Sequence, residues 1–335
     1  MTALAFSPIQ LIDDPLLSRL GVQLTVLRLD LFSSTLSGNK YFKLKHNIEV
    51  AKAQGFKTLL SFGGAYSNHI HALAMAGRHY GLATIGIIRG ERHSPLNPTL
   101  QDAVDAGMQL HYISRQDYRR KSEPDFSLSL PVELQQQFEQ AYVIPEGGSN
   151  MLGVQGCMEI VDHVKHHLND DFDTIVLPCG TAATMAGVAA AAGYNKQVMG
   201  VAVLKNAHYL ETDCAAFIAQ VLAHKSPAFG VGFGLAAAGQ TEEGSPKKNW
   251  QMLHDYHHGG YAKTSPDLMA FIDRFQHQHG IPLEPVYSGK MFYGLFDWLS
   301  QQSPNEIAGL RMVAIHTGGL QGVRGFENLN NAVKM

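Results

Sequence analysis

Lys40 closes the turn Ser37-Gly38-Asn39-Lys40, with Leu31, Phe32 and Leu36 before it and Tyr41, Phe42 and Leu44 after it. A lysine on a Gly-Asn turn is ordinarily a solvated surface residue. These flanks argue instead for an apolar pocket. There an ε-amine loses part of its preference for the ammonium form, its pKa drops from about 10.4, and it becomes able to form a Schiff base. Three other segments carry complementary chemistry. Phe62-Gly63-Gly64-Ala65-Tyr66-Ser67-Asn68-His69 ends an apolar run and opens a helical one at Ser67. It is either a plain cap or a turn whose glycines let backbone N–H groups converge on an anion such as a substrate carboxylate. Gly180-Thr181-Ala182-Ala183-Thr184 sits at a similar turn. Its small residues suit close helix packing, or a phosphate dianion held by backbone amides and threonine hydroxyls without a lysine. Pro285-Val286-Tyr287-Ser288-Gly289-Lys290 and His316-Thr317-Gly318-Gly319 add a tyrosine and hydroxyls at late strand ends, where open α/β sheets place ligands.

A Schiff-base lysine, a phosphate cup and hydroxyls for a ring nitrogen together describe pyridoxal 5′-phosphate. Rival chemistries lack their motifs. Gly230, Gly232 and Gly234 give only G-x-G-x-G with no helix pattern after them, so a dinucleotide site is unsupported. There is no P-loop, and Gly147-Gly148-Ser149-Asn150-Met151 is not a nucleophile elbow. The 17 histidines include no HExxH, and His69 and His71 at i, i+2 point to different helix faces, so no metal is expected.

The elements that must position these residues are those of a large α/β chain. At 335 residues, with 45% hydrophobic and only 16% charged residues and 33 glycines, the composition is buried and turn-rich. Lys plus Arg at 26 against Asp plus Glu at 29 leaves a net charge of -3, which gives nucleic acid and anionic membranes no field to follow. Cys157, Cys179 and Cys214 form no CxxC pair and read as reduced, buried side chains. The N-terminus has no basic start and meets Asp13 and Asp14 early, so the expected compartment is the cytoplasm. Thr174 to Asn195 is uncharged and long enough to span a bilayer, yet Pro178, Gly180, Gly187 and Gly193 interrupt it. It reads as a buried strand, a glycine turn and a tightly packed helix.

One grammar recurs, an apolar run, a Gly-bearing turn, then a helical pattern, which is that of βαβ units and a covered parallel sheet. Strands are expected at Thr58–Phe62, Thr84–Ile88, Gln109–Ile113, Tyr142–Pro145, Thr174–Pro178, Val198–Leu204 and Met312–His316, with helices among them at Pro95–Ala106, 153–167, Pro266–His279 and Tyr287–Ser300. Arg115–Gln137 and Lys225–Lys248 break the pattern and read as surface excursions. The domain division expected is 1–43 plus 143–335 as a large domain, with 44–142 inserted as a small one.

The blocks SGNKYFKLKHNI, LLSFGGAYSNHIHALA, IPEGGSNMLGVQG, LPCGTAATMAG, EPVYSGK and HTGG, in order from about Pro8 to Gly319, resemble those of the 1-aminocyclopropane-1-carboxylate deaminase and D-cysteine desulfhydrase family, within the tryptophan-synthase-β-like, fold type II enzymes. The resemblance implies an α/β fold of two open, mostly parallel twisted sheets with helices on both faces, pyridoxal phosphate in the interdomain cleft, and a homodimer acting on a small amino acid. It makes Lys40 the Schiff-base lysine. It puts Ser67, Asn68 and His69 on the block that holds the substrate carboxylate and the cofactor's ring oxygen, with Ser67 an active-site position. Gly180, Thr181, Ala182, Ala183 and Thr184 fall on the phosphate loop, and Tyr261 and Tyr287 on two tyrosines facing the substrate. The family's usual GNKTRKLE reads GNKYFKLK here, and the glutamine usual before SNH is Tyr66.

Ring-opening members resemble one another in a Glu directly after the second tyrosine and a Leu in the His-x-Gly-Gly block. Ser288 and Thr317 stand there instead and match the desulfhydrase branch. The expected activity is α,β-elimination, D-cysteine to pyruvate, sulfide and ammonia. Opening of 1-aminocyclopropane-1-carboxylate to 2-oxobutyrate and ammonia comes second, and a racemase or dehydratase sharing the cofactor remains open.

Overall fold

The computed structural model describes residues 6–33, 36, 38–223 and 248–326. Packing divides the chain into two compact units, Met1–Ser33 with Val154–Leu320, and Ser34–Gly153 with Gln321–Met335. Boundaries are expected from the sequence at 43/44 and 142/143; the packing draws them at 33/34 and 153/154, which groups Lys40 with the smaller unit.

Ten strands are formed among the described residues: β1 Ile9–Ile12, β2 Gln23–Arg28, β3 Thr58–Gly63, β4 Ala83–Arg89, β5 Gln109–Ile113, β6 Tyr142–Ile144, β7 Thr174–Cys179, β8 Gln197–Ala202, β9 Trp250–Leu253 and β10 Arg311–His316. The larger unit carries a six-stranded sheet in the order β1-β2-β10-β7-β8-β9. β1 alone runs antiparallel, at the edge. Every residue of β7 is buried, as expected of a parallel strand covered on both faces. The helices Pro266–His279 and Ser288–Ser300 press Phe271, Phe275, Met291, Phe292 and Leu295 against Leu24, Val26, Val176 and Val201 of this sheet. The sequence pattern missed β1, β2 and β9, which are short or split by the helix Pro15–Leu20.

The smaller unit holds a four-stranded, all-parallel sheet in the order β5-β4-β3-β6. Here the reading of 115–137 as a surface excursion is corrected. The segment forms the helix Arg115–Arg119 and most of the helix Val132–Gln140, and buries Tyr118, Phe126, Leu130 and Leu134 against Phe62 and Ile87. Its apolar residues are too widely spaced along a polar run to register as a periodic stripe, yet they converge once folded. The other excursion, Lys225–Lys248, and Gly230, Gly232 and Gly234 within it lie outside the described residues except for Lys248. The uncharged stretch 174–195 forms β7, a turn and the helix Ala182–Ala192. No described helix is long and apolar enough to cross a membrane. The three cysteines are buried.

Candidate active site

In the smaller unit, Gly38 takes φ 77°, a left-handed conformation natural to glycine, and starts the helix Asn39–Ala53. Lys40 therefore stands in the first helical turn, its Nζ donating to Asn39 Oδ1 at 3.0 Å. Ser67 is the N-cap of the helix Asn68–Tyr80, its Oγ accepting from the Ile70 amide at 3.3 Å. That bond uses a lone pair and leaves the hydroxyl proton to be donated elsewhere. A Cβ on Gly63 would lie 2.6 Å from Ser67 Oγ, so the glycine is what admits the cap. The cap satisfies the Ile70 amide, leaving Asn68 and His69 as the amides at the positive helix end, and no acidic side chain occupies the first turn. A carboxylate suits that end. The Asn68 side chain is held by Gln321, whose Nε2 donates to Oδ1 at 2.9 Å.

His69 is buried, and its tautomer follows from one neighbour. Ser61 Oγ lies 2.7 Å from the Ile144 carbonyl, which can only accept, and 2.8 Å from His69 Nε2. The single hydroxyl proton goes to Ile144, so His69 Nε2 carries a proton and donates to Ser61. Nδ1 is then a buried lone pair with no hydrogen-bond partner among the described residues. Burial, then Lys40, then Lys43 hold His69 well below the ordinary imidazole range. A neutral imidazole thus offers an acceptor among two lysines.

In the larger unit, Gly180 and Thr181 link β7 to the helix Ala182–Ala192. Thr181 is the N-cap yet makes no side-chain capping bond, no acid sits in the first turn, and Ala182, Ala183 and Thr184 are buried. A buried helix start with no acid in its first turn suits an anion. A Cβ on Gly180 would come within 2.7 Å of the Tyr287 ring, so the turn is a cradle only glycine leaves open. Tyr287 and Tyr261 meet edge to face at 6.3 Å. Thr317 follows β10, the neighbour of β7, and its turn is set by His316, which donates from Nε2 to the Pro282 carbonyl at 2.8 Å and accepts the Gly318 amide on Nδ1 at 3.2 Å. Burial lowers the pKa of His316, with Asp30 pulling the other way.

Ser288 is placed differently from a free hydroxyl. Its Oγ accepts the Glu284 amide at 3.0 Å and lies 3.3 Å from Glu284 Oε1, while its own amide donates to Oε1 at 2.6 Å. Glu284 also takes the amides of Val286 and Tyr287, each at 2.7 Å. Burial raises its pKa, and the amide bonds oppose that rise. Glu284, Ser61, Lys43 and Lys290 are not among the residues expected from the sequence, although a lone polar residue inside LLSF and a lone lysine inside SGKMFYGLF are signals of buried, purposeful polarity. Elsewhere, His208, Glu211 and His254 cluster closely, but Glu211 is already taken by His254 Nε2 at 2.9 Å and Lys248 Nζ at 3.3 Å.

Taken unit by unit, the glycine cradle and helix start of the larger unit are chemistry of the kind that holds a phosphate, and the amine beside a neutral imidazole in the smaller unit is chemistry of the kind that forms a Schiff base; both are what pyridoxal phosphate requires. Acid sensitivity follows from the two neutral imidazoles. His69 and His316 both have folded pKa values below 6.5, so the unfolded chain binds more protons below that pH. Their contribution is complete above pH 6.5 and is lost as pH falls. Urea midpoints are expected to drop between about pH 7 and pH 5, with a shallower drop in His69→Gln. An unchanged slope in that variant removes His69 from the account.

A model of the pyridoxal-phosphate dependent enzyme family matches residues 3–318. The chain is similar to the mitochondrial bifunctional D-cysteine desulfhydrase/1-aminocyclopropane-1-carboxylate deaminase of Arabidopsis thaliana, with 29% identity over 314 residues, 90% of this chain and 74% of the relative. It is 26% identical to the D-cysteine desulfhydrase of Salmonella typhi over 310 residues, 90% of this chain and 88% of that one. Among solved structures, the crystal structure of a 1-aminocyclopropane-1-carboxylate deaminase homologue superposes with a TM-score of 0.77 at 23% identity, covering 97% of this chain and 93% of its own, a likeness of fold.

Proposed function

The chain belongs to the pyridoxal-phosphate dependent enzymes, and from that premise we propose that it eliminates the β-substituent of a small amino acid, with D-cysteine and water giving pyruvate, hydrogen sulfide and ammonia. When bound, the cofactor supplies an electron sink for charge developing at Cα. Residues 180–184 hold its phosphate through the amides and hydroxyls of Thr181 and Thr184. Lys40 is its covalent anchor, and Lys40 Nζ, once displaced by the substrate amine, takes the Cα proton. The Asn68 and His69 amides with Ser67 Oγ bind the substrate carboxylate, and Tyr261 and Tyr287 face its side chain. The reading includes a homodimer in the cytoplasm.

The observation that carries the branch is the neutral residue Thr317, which lies in a turn closed by the Gly318 amide on His316 Nδ1. A neutral partner for a ring nitrogen makes a weaker electron sink than a carboxylate, which suffices when thiolate leaves readily and disfavours opening a cyclopropane. Because Ser288 is engaged by Glu284, Thr317 is the cleaner probe of the two positions. One finding favours a second reading, opening of 1-aminocyclopropane-1-carboxylate: the Arabidopsis relative carries both activities in its name. The test is a panel of both cysteine enantiomers, both serine enantiomers and the cyclopropane amino acid, read as sulfide, pyruvate and 2-oxobutyrate. D-cysteine is expected to give equal amounts of sulfide and pyruvate, with kcat/KM at least about tenfold above that for the cyclopropane substrate, or about 1.4 kcal/mol. A preference for the cyclopropane substrate overturns the branch.

A further inference from the structure

Lys290 lies one turn into the helix that Tyr287 opens, and it is entirely buried. Its Nζ donates to the Gly260 carbonyl at 2.7 Å and to the Val203 carbonyl at 3.3 Å. Gly260 belongs to a turn in which His258, Gly259, Gly260 and Ala262 all have positive φ, at 49°, 95°, 125° and 54°. Two of these are not glycine, and such backbone persists only where its surroundings hold it. The residue between, Tyr261, is the one that meets Tyr287. The contacts form a ladder. Residues 287, 290 and 293 succeed one another at steps of three, each beside the next around the helix start. Tyr287 meets Tyr261, Lys290 bonds Gly260, and Tyr293 packs edge-on against His258 at 4.7 Å.

We propose that Lys290 is a positioning residue for Tyr261: it pins the strained 258–262 turn to the helix beginning at Tyr287, so that one helix sets both phenols. The inference rests on the reading that these tyrosines face the substrate. Burial brings Lys290 down to about 8, with Glu284 opposing, so near neutrality it is an ammonium and its bonds to the two carbonyls are charge-assisted. An apolar side chain there leaves the Gly260 carbonyl without this donor and the strained turn free to relax.

The test uses the cofactor-loaded enzyme as Lys290→Met, Lys290→Arg, Tyr261→Phe and the Lys290→Met/Tyr261→Phe double variant. Hydrogen exchange of a peptide covering 257–264 is expected to quicken at least about tenfold in Lys290→Met, while peptides from β10 do not change. With D-cysteine, or whichever amino acid the panel finds active, kcat is expected to fall more than KM changes, with partial recovery in Lys290→Arg. The double variant is expected to match Tyr261→Phe within about threefold, because a residue acting through Tyr261 has nothing left to act on. Lys290→Gln, which keeps a neutral donor, is made alongside in case methionine at this buried position abolishes folding, and is held to the same non-additivity. Unchanged exchange in these variants, or losses that multiply in the double variant, overturns the proposal. A loosened turn with full activity in Tyr261→Phe upholds the pinning and instead removes Tyr261 from the substrate site.

Discussion

Lys40→Ala is expected to lower kcat by about a thousandfold or more, equivalent to at least about 4 kcal/mol of transition-state stabilisation, even with pyridoxal phosphate in excess. The same variant is expected to lose covalent capture: borohydride fixes the cofactor to the parent enzyme, and mass spectrometry of the digest places it on Lys40, whereas the variant releases it on denaturation. The structure makes this a sharp test, because a rival stands one helical turn away. Lys43 is buried and close enough to His69 to influence its protonation. Lys40 is the less enclosed, in the first turn directly after the left-handed Gly38. Recovery of the reduced adduct on Lys43 moves the covalent anchor by one turn and ends the assignment of Lys40.

The paired substitution Thr181→Val and Thr184→Val is expected to weaken cofactor binding by about a hundredfold, since charge-assisted bonds contribute about 1.5 kcal/mol or more each. Fluorescence titration of the stripped protein measures the loss. Valine keeps the shape of threonine, so the buried position of Thr184 is filled and the thermal midpoint without cofactor is expected to hold. Gly180→Ala serves as an independent probe of the same cradle: its methyl group would press on the Tyr287 ring and force turn or ring to move. Unchanged affinity in the threonine pair, with Gly180→Ala also silent, moves the phosphate to another part of the chain.

Much of this was legible in the linear chain because it depends on local periodicity. β5, β7 and the helix Pro266–His279 follow from apolar runs and helical spacing, and Ser67 as a cap follows from residue type. The candidate site was legible as motifs, since a glycine that admits a cap or a ring, as at Gly63 and Gly180, must stand at a definite place in the chain. The helical segments within 115–140 were not legible, because residues that become neighbours only after folding leave no period to read.

What the sequence determined by itself was the α/β class, the cofactor and the residue types of the candidate site, all set by short-range spacing and side-chain chemistry. Tertiary structure alone decided how those residues are electrically and sterically poised. Which nitrogen of His69 carries the proton depends on Ser61 and the Ile144 carbonyl, a residue 83 positions away from that serine. Whether Ser288 is available depends on Glu284 folding back over the helix start. Where Tyr261 stands depends on Lys290, 30 positions beyond the carbonyl it binds. Each is a hydrogen bond whose partner the chain brings near only by closing a loop, so its energy and direction exist in the fold and nowhere in the order of the residues.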